Sequence, residues 1–193
     1  MHGLLVAFEG LDQSGKQTQA KMLRDDLTAR QRDARLFSFP DYNTAIGVEI
    51  GRALAGERSY GPDTMQLLYV ANRYEWKQRM HDARAAGTIL LCDRYLASSV
   101  AYGEAQGLDA AWLVEIQKYL PQPDVTILLD MSPDESARRK SVGRDKYERD
   151  LGLLERVRDS YLRQAGSGWV RIDGERPREI VAAEVFAAVE RKL

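Results

Sequence analysis

Short apolar runs alternate along the chain with longer segments in which apolar residues recur at helical spacing. The runs have strand length, are continuously hydrophobic, and cover residues 3–8, 34–39, 88–92, 125–130 and 169–173. The helical segments cover residues 15–31, 44–55, 63–86, 96–119 in two pieces, 133–141, 146–165 and 177–192. Continuously apolar strands that alternate with helices are typical of a parallel sheet covered on both faces. The pattern predicts one three-layer α/β domain with a five-stranded parallel sheet.

Acidic residues stand at the carboxyl ends of most of the predicted strands. Glu9 and Asp12 follow the first strand, Asp93 follows the third, and Asp130 and Asp173 end the fourth and fifth. Ligands of open α/β sheets bind beyond these strand ends, so the acids mark the edge where we expect the functional site. For Asp130 and Asp173 the alternative is a structural role as helix caps.

The first strand leads directly into a glycine-rich loop. Residues 10–16 read Gly-Leu-Asp-Gln-Ser-Gly-Lys, which fits the G-x-x-x-x-G-K pattern between a strand and a helix. The two glycines permit a tight loop whose amides converge on an anion, and the helix N-terminus and the lysine add positive charge. A purely structural turn has no need of that lysine. The motif predicts a nucleotide-phosphate site made of Gly10, Leu11, Asp12, Gln13, Ser14, Gly15, Lys16, Gln17 and Thr18.

The loop departs from the usual pattern at one position. Gln17 stands where a Ser or Thr hydroxyl normally helps to hold Mg²⁺, and Thr18 comes one residue late. A hydroxyl shifted by one residue faces another direction on a helix. We therefore expect Mg²⁺ to be held by water, nucleotide phosphates and carboxylates such as Asp93.

The charge balance limits the kind of phosphate ligand to be expected. The 193 residues include 28 Lys and Arg against 29 Asp and Glu, a formal net charge of -1. Such a chain has no long-range attraction for polyanions, so we expect local cations to bind a small phosphate ligand, and no nucleic acid. The single cysteine, Cys92, excludes an internal disulfide, and no apolar run approaches the ~20 residues of a membrane span. A cytoplasmic protein without a membrane partner is expected.

Further segments share the order and spacing of one family. Besides residues 8–19 around the glycine-rich loop, they are residues 39–40 (FP), 67–73 (LLYVANR), 93–102 (DRYLASSVAY) and 120–124 (LPQPD). Together these segments resemble the thymidylate kinases along nearly the whole chain. The resemblance implies a P-loop kinase fold and transfer of the γ-phosphoryl group of ATP to the 5′-phosphate of thymidine monophosphate (dTMP), with Mg²⁺. It also implies a homodimer.

The resemblance assigns two residues to the thymine base. Tyr69 and Arg73 lie four apart on a predicted helix and so share one face. In the family an aromatic ring and an arginine at these positions hold thymine, by stacking and by donating to a base oxygen. The alternative is a surface tyrosine and arginine packed on each other.

Other residues of the acceptor site follow from the same resemblance. Asp12 would accept a hydrogen bond from the sugar 3′-hydroxyl, Arg94 would bind the acceptor phosphate, and Tyr102 would lie near the sugar. For Arg94 the alternative is a plain ion pair with its neighbour Asp93. The remaining acceptor-site residues are Phe39, Pro40, Ser98 and Ser99.

A basic segment late in the chain resembles the mobile lid of these kinases, at about residues 138–150. Some members carry an arginine in the phosphate loop where this chain has Gln13, so here the lid would supply the missing cations. Arg139 matches the position that covers adenine, and Arg144 or Lys146 would approach the phosphates. Phosphoryl transfer needs positioning and charge neutralisation, without a base. The expected catalytic residues are therefore Asp12, Lys16, Arg94 and Arg144; the alternative for the basic segment is a solvated helix face.

Two other functions remain open from the sequence. One is a kinase for a different nucleoside monophosphate. The other is a protein that binds ATP as a switch and transfers nothing; the cations of the lid and the motif after the third strand disfavour it.

Overall fold

A central parallel sheet organises the computed structural model, which describes residues 2–139 and 150–193. Its five strands are β1 (Leu5–Glu9), β2 (Ala34–Ser38), β3 (Ile89–Asp93), β4 (Val125–Asp130) and β5 (Trp169–Asp173), in the order β2-β3-β1-β4-β5. The helices are α1 (Lys16–Ala29), α2 (Ala45–Leu54), α3 (Pro62–Tyr74), α4 (Lys77–Ala85), α5 (Leu96–Ala105), α6 (Ala110–Glu115), α7 (Pro133–Arg139), α8 (Leu151–Gln164) and α9 (Arg178–Glu190). Every strand pair is parallel, which confirms the predicted sheet.

The buried strands alternate their side chains between two hydrophobic cores. Val6 and Phe8 of β1 point into one core with residues of α1 and α9, whereas Leu5 and Ala7 point into the other with Met80 of α4. Helices therefore cover both faces, and the three layers explain why each strand reads as a continuous apolar run. Within the described part of the chain, no helix is both long and apolar enough to span a membrane.

The register of the strands brings their carboxyl ends to one edge. Asp93 of β3 lies opposite Phe8 of β1 and Ser38 of β2, and Asp130 lies opposite Asp173. The loops after β1, β2 and β3 consequently meet at this edge, as the positions of the acids predicted.

One predicted helix is divided into two. The pattern over residues 63–86 predicts a single helix, but α3 ends at Tyr74 and α4 begins at Lys77. The Trp76 N–H donates to the Arg73 carbonyl at 3.1 Å, and its ring packs edge-on against Phe37 at a centroid distance of 5.6 Å. Tertiary packing of this aromatic ring against the edge strand thus interrupts a pattern that is locally helical.

The basic segment falls mostly on residues 140–149, outside the described residues.

The two acids considered as helix caps have different roles. Asp130, nearly buried, accepts hydrogen bonds from Arg158 at 2.7 and 3.0 Å and from Arg171 at 3.0 and 2.5 Å. It is therefore the centre of an ion cluster that ties β4 to β5 and α8. Asp173 accepts from the N–H of Glu175 at 2.9 Å in the turn after β5. Neither carboxylate caps a helix N-terminus.

This difference predicts unequal effects on stability. Asp130→Asn should lower the free energy of unfolding by about 1–3 kcal/mol, because both guanidinium groups lose their counter-charge in a partly buried position. Asp173→Asn, at an exposed turn, should change it by less than ~0.5 kcal/mol. Urea denaturation of the two variants measures both values, and equal losses would contradict the role given to Asp130.

Candidate active site

The glycine-rich loop forms an anion-binding turn between β1 and α1. Gly10 has a φ of 137°, and a Cβ there would lie 2.4 Å from the Leu129 carbonyl oxygen, so only glycine fits. Gly15, with a φ of 94°, precedes the first residue of α1 and gives the helix no side-chain cap. The amides of the first turn are thus left for an anion, at the positive end of the helix dipole.

Lys16 is held inside this loop. Its ammonium donates to the Leu11 carbonyl at 2.7 Å, and the residue is only 6% exposed. Burial and, less strongly, the nearby Arg94 charge lower the pKa of Lys16 to about 8, against the opposing effect of the carboxylates. A phosphate that replaced the carbonyl as partner would stabilise the charged form of this lysine.

A cleft surrounds the phosphate loop, and most of the residues predicted to bind the nucleotide phosphates line it. The cleft is lined by residues 12–18, Asp93 and Arg139. Gly10 and Leu11 do not line it, and Leu11 packs in the hydrophobic core. Arg139 pairs with Glu135 at 2.8 Å and reaches the Gln13 carbonyl at 3.4 Å. Arg144 and Lys146 lie outside the described residues. Arg176 and Arg178 also line the cleft and were missed, although their place directly after the fifth strand was a usable signal.

A second, smaller cavity lies beside the cleft. All nine predicted acceptor-site residues line it: Asp12, Phe39, Pro40, Tyr69, Arg73, Arg94, Ser98, Ser99 and Tyr102. Tyr42, Leu54, Gln66 and Gln106 line it too. Asp12, Tyr42 and Arg94 line both spaces, so the two spaces meet at these side chains. Sequence reasoning missed Leu54, Gln66 and Gln106; for Gln66 the signal was its position seven residues before Arg73 on the same helix face.

An ion pair joins the phosphate loop to the segment after β3. Arg94 donates to Asp12 at 2.5 Å, and Tyr102 donates to the other carboxylate oxygen at 3.0 Å. Burial alone would raise the pKa of Asp12, but the Arg94 and Lys16 charges, with the two hydrogen bonds, lower it to about 2. Burial likewise opposes the charge of Arg94, yet Asp12 raises its pKa well above the ordinary value. Arg94 therefore pairs with Asp12, and the simple pair with Asp93 is wrong.

Arg73 is buried among neutral partners. It donates to the Ser99 hydroxyl at 2.7 Å and to the side-chain Oε1 of Gln117 at 3.3 Å, and it is 3% exposed. Its Nε is buried without a hydrogen-bond partner in the described structure, and burial lowers the pKa of the guanidinium. A surface pair of Tyr69 and Arg73 is therefore wrong. The guanidinium faces the cavity as a charged donor with unused capacity.

Glu9, an acid singled out at the end of β1, supports the site from behind. Its buried carboxylate accepts from the N–H groups of Tyr95 and Ser98 at 2.9 and 3.3 Å. It also accepts from the Ser98 and Tyr161 hydroxyls at 2.6 and 3.1 Å. Tyr95 supplies no side-chain cap for the N-terminus of α5, and the carboxylate of Glu9, at the end of β1, takes that role. It thereby fixes the helix that presents Ser99 and Tyr102.

Asp93 is the candidate ligand for a metal ion. It lines the phosphate cleft, and its charge contributes to the electrostatic surroundings of Lys16. Among the described residues, no three His, Cys, Asp or Glu side chains come together as a metal-binding group. The single carboxylate of Asp93 in this cleft would suit Mg²⁺, which protein sites hold through one or two carboxylates together with phosphates and water.

Comparison with known proteins agrees with this geometry. The family model "Thymidylate kinase" matches residues 8–185. The thymidylate kinase of Schizosaccharomyces pombe is 33% identical, over 97% of this chain and 91% of that protein. The thymidylate kinase of Arabidopsis thaliana is 35% identical, over 99% of this chain and 69% of that protein.

A solved structure extends the likeness to the fold. The thymidylate kinase of Candida albicans superposes with a TM-score of 0.85 at 28% identity, covering 99% of this chain and 92% of that one. Its fold is the P-loop kinase fold that the resemblance implied. On the family match and these relatives, the chain belongs to the thymidylate kinase family, the nucleoside monophosphate kinases that phosphorylate dTMP.

Proposed function

We propose that ATP, together with Mg²⁺, is the phosphoryl donor with which this chain converts dTMP into its diphosphate. The observation that carries the proposal is that the phosphate cleft and the acceptor cavity meet at Asp12 and Arg94. Two phosphorylated ligands placed in these two spaces would bring their phosphates together beside the same ion pair. Proximity of this kind is the main requirement of phosphoryl transfer.

The donor would lie in the phosphate cleft. The loop amides and Lys16 would hold its phosphates, and Arg139 would cover the adenine from the end of α7, where it already contacts the loop carbonyl of Gln13. Mg²⁺, with Asp93 as its protein ligand, would neutralise phosphate charge as the transfer proceeds. Arg144 would approach the same phosphates from the lid; this role rests on the resemblance, since Arg144 lies outside the described residues.

The acceptor would lie in the smaller cavity. Tyr69 would stack on thymine, Arg73 would donate to a base oxygen, and Arg94 would bind the 5′-phosphate. Asp12 and Tyr102, now hydrogen-bonded to each other, would contact the sugar. The acceptor phosphate is already an anionic nucleophile, so these residues need only orient it and neutralise charge. Phe39, Pro40, Ser98 and Ser99 complete the wall.

A panel of acceptors tests the proposal. With ATP and Mg²⁺ held constant, we expect ADP release to be fastest with dTMP and at least about tenfold slower with dCMP, dGMP or dAMP. Comparable rates with several monophosphates would favour the more general kinase; the Candida albicans relative is itself described as having broad substrate specificity. ADP release no faster than without an acceptor would instead favour an ATP-dependent switch.

The pKa of Lys16 predicts a pH dependence of donor binding. In the free protein this pKa is about 8, so above it an increasing fraction of molecules must take up a proton before the lysine can pair with phosphate. Affinity for ATP with Mg²⁺ should therefore fall as the pH rises from 8, by up to about tenfold per pH unit. Calorimetric titration measures it. Lys16→Ala is the control, with weaker binding that does not change over this range, and a constant wild-type affinity would contradict the role of Lys16.

The homodimer that the resemblance implies is a further part of the proposal. Val48 on α2 and Leu67 on α3 are 45% and 47% exposed, on two helices that share a core. Sedimentation equilibrium should give twice the chain mass of 21.8 kDa, and Leu67→Asp should reduce it to one chain. Ile180→Asp, at an exposed position of α9, is the control that should stay dimeric. A wild-type monomer would contradict the dimer.

The proposal extends to the cellular setting. A cytoplasmic location, with no nucleic-acid or membrane partner, is supported by the near-zero net charge and by the single, buried Cys92. Fractionation of cells that express the tagged chain would test it, and recovery with the membrane fraction would count against it.

A further inference from the structure

A glutamine that the assignments above leave without a role lies in the wall of the acceptor cavity. Gln66 of α3 is 1% exposed, and its Oε1 is buried without a hydrogen-bond partner in the described structure. Leaving a buried amide oxygen unpaired is unfavourable, and such atoms are rare in folded proteins. The cavity that Gln66 lines has a volume of about 120 Å³, so an occupant would touch its walls. The unpaired oxygen therefore points to a ligand that supplies a donor.

Close packing holds this side chain in place. Gly103 of α5 faces it, and a Cβ at that position would lie 3.3 Å from the Gln66 Cγ and 2.6 Å from a methyl carbon of Leu113. The two helices thus approach closely where the stem of the glutamine lies. Gln66 is 1% exposed and lines the cavity, so a partner for its amide would come from the cavity side.

Thymine needs both donors and an acceptor from the cavity that binds it. The base presents two acceptors, O2 and O4, and one donor, N3–H. Arg73 has only donors, which suit the oxygens. The Ser99 hydroxyl oxygen already accepts from Arg73 at 2.7 Å, which occupies one of its two acceptor positions. The ring N–H needs an acceptor, and the Gln66 Oε1 is a buried acceptor without a partner.

We propose that Gln66 is a specificity-determining residue whose Oε1 accepts a hydrogen bond from N3–H of the thymine base. The inference rests on the proposed placement of dTMP in this cavity. Arg73, as a donor, and Gln66, as an acceptor, then contact O4 and N3–H, which are adjacent on the ring. Cytosine reverses both positions, since its N3 is an acceptor and its N4 is a donor. The pair thereby selects a 4-oxo pyrimidine and rejects a 4-amino one.

Gln66→Met tests the hydrogen bond while keeping an unbranched side chain of similar length. Loss of the acceptor should lower kcat/KM for dTMP at least about tenfold, and for dUMP by the same factor, because both bases carry N3–H. The value for dCMP should stay within about twofold, so selectivity against dCMP should decrease. An equal decrease for all three acceptors would identify a packing role and overturn the inference. So would an unchanged value for dTMP and dUMP.

Thermal unfolding gives a second, independent readout. Removing an unpaired buried oxygen should leave the Tm of the ligand-free protein unchanged or raise it, while the increase in Tm caused by dTMP should shrink. A residue that only supports the fold would instead lower the ligand-free Tm. Gln78→Met, on α4 and outside both spaces, controls for the substitution and should alter neither quantity.

Activity of the wild-type protein distinguishes a failure of the proposed function from a failure of the role of Gln66. If the wild-type protein releases no ADP with dTMP, the proposed function fails. If the wild type is active and the variant keeps its selectivity, only the role of Gln66 fails.

Discussion

The ion pair between Asp12 and Arg94 is the interaction on which the site depends. Asp12 comes from the loop after β1 and Arg94 from the turn after β3, and the two strands are neighbours in register. Adjacent strands lie ~4.8 Å apart, so the sheet itself sets how closely the two loops approach. Arg94 adopts a φ of 61°, a conformation unusual outside glycine, and the carboxylate partner helps to hold it there. Because both side chains line both spaces, this contact fixes where donor and acceptor phosphates would meet.

The buried cations near that ion pair differ in how easily a ligand can replace their hydrogen-bond partners. Lys16 is paired with a neutral carbonyl, and Arg73 with a hydroxyl and an amide. An ionised phosphate is a stronger partner for Lys16 than a neutral carbonyl, so a bound phosphate would stabilise the charge of this lysine. Arg94 is instead already in a full ion pair with Asp12, so an acceptor phosphate bound as proposed would share Arg94 with that carboxylate. The apolar cores on both faces of the sheet stabilise a site that carries such unfavourable groups.

Sequence patterns predicted the features that depend on local order. The five strands, the loop from Gly10 to Lys16 and the shared face of Tyr69 and Arg73 follow from periodicity and from the rule about strand ends. Partners distant in the chain could not be predicted. Glu9 meets Tyr161 across 152 positions, and no local pattern encodes that contact. The break between α3 and α4 likewise depends on Trp76 meeting Phe37 of another element. Gln66 shares the helix face of Arg73, but this spacing alone does not show that a polar side chain is buried, and its burial depends on contacts with α5.

Charge then limits how the two nucleotides can bind together. Asp12, with a pKa of about 2, stays ionised at neutral pH, so an acceptor phosphate beside Arg94 also meets a carboxylate. The net charge of -1 for the whole chain offers no compensating field, so the balance has to be local. Three other arginines at the donor cleft, Arg139, Arg176 and Arg178, are already paired with Glu135, Glu184 and Glu179. Lys16 and the positive end of α1 therefore remain as positive groups of the described cleft without a carboxylate partner, and Mg²⁺ bound as proposed would add to them. Under the proposed function, a donor that brought the metal ion would therefore favour binding of the acceptor phosphate.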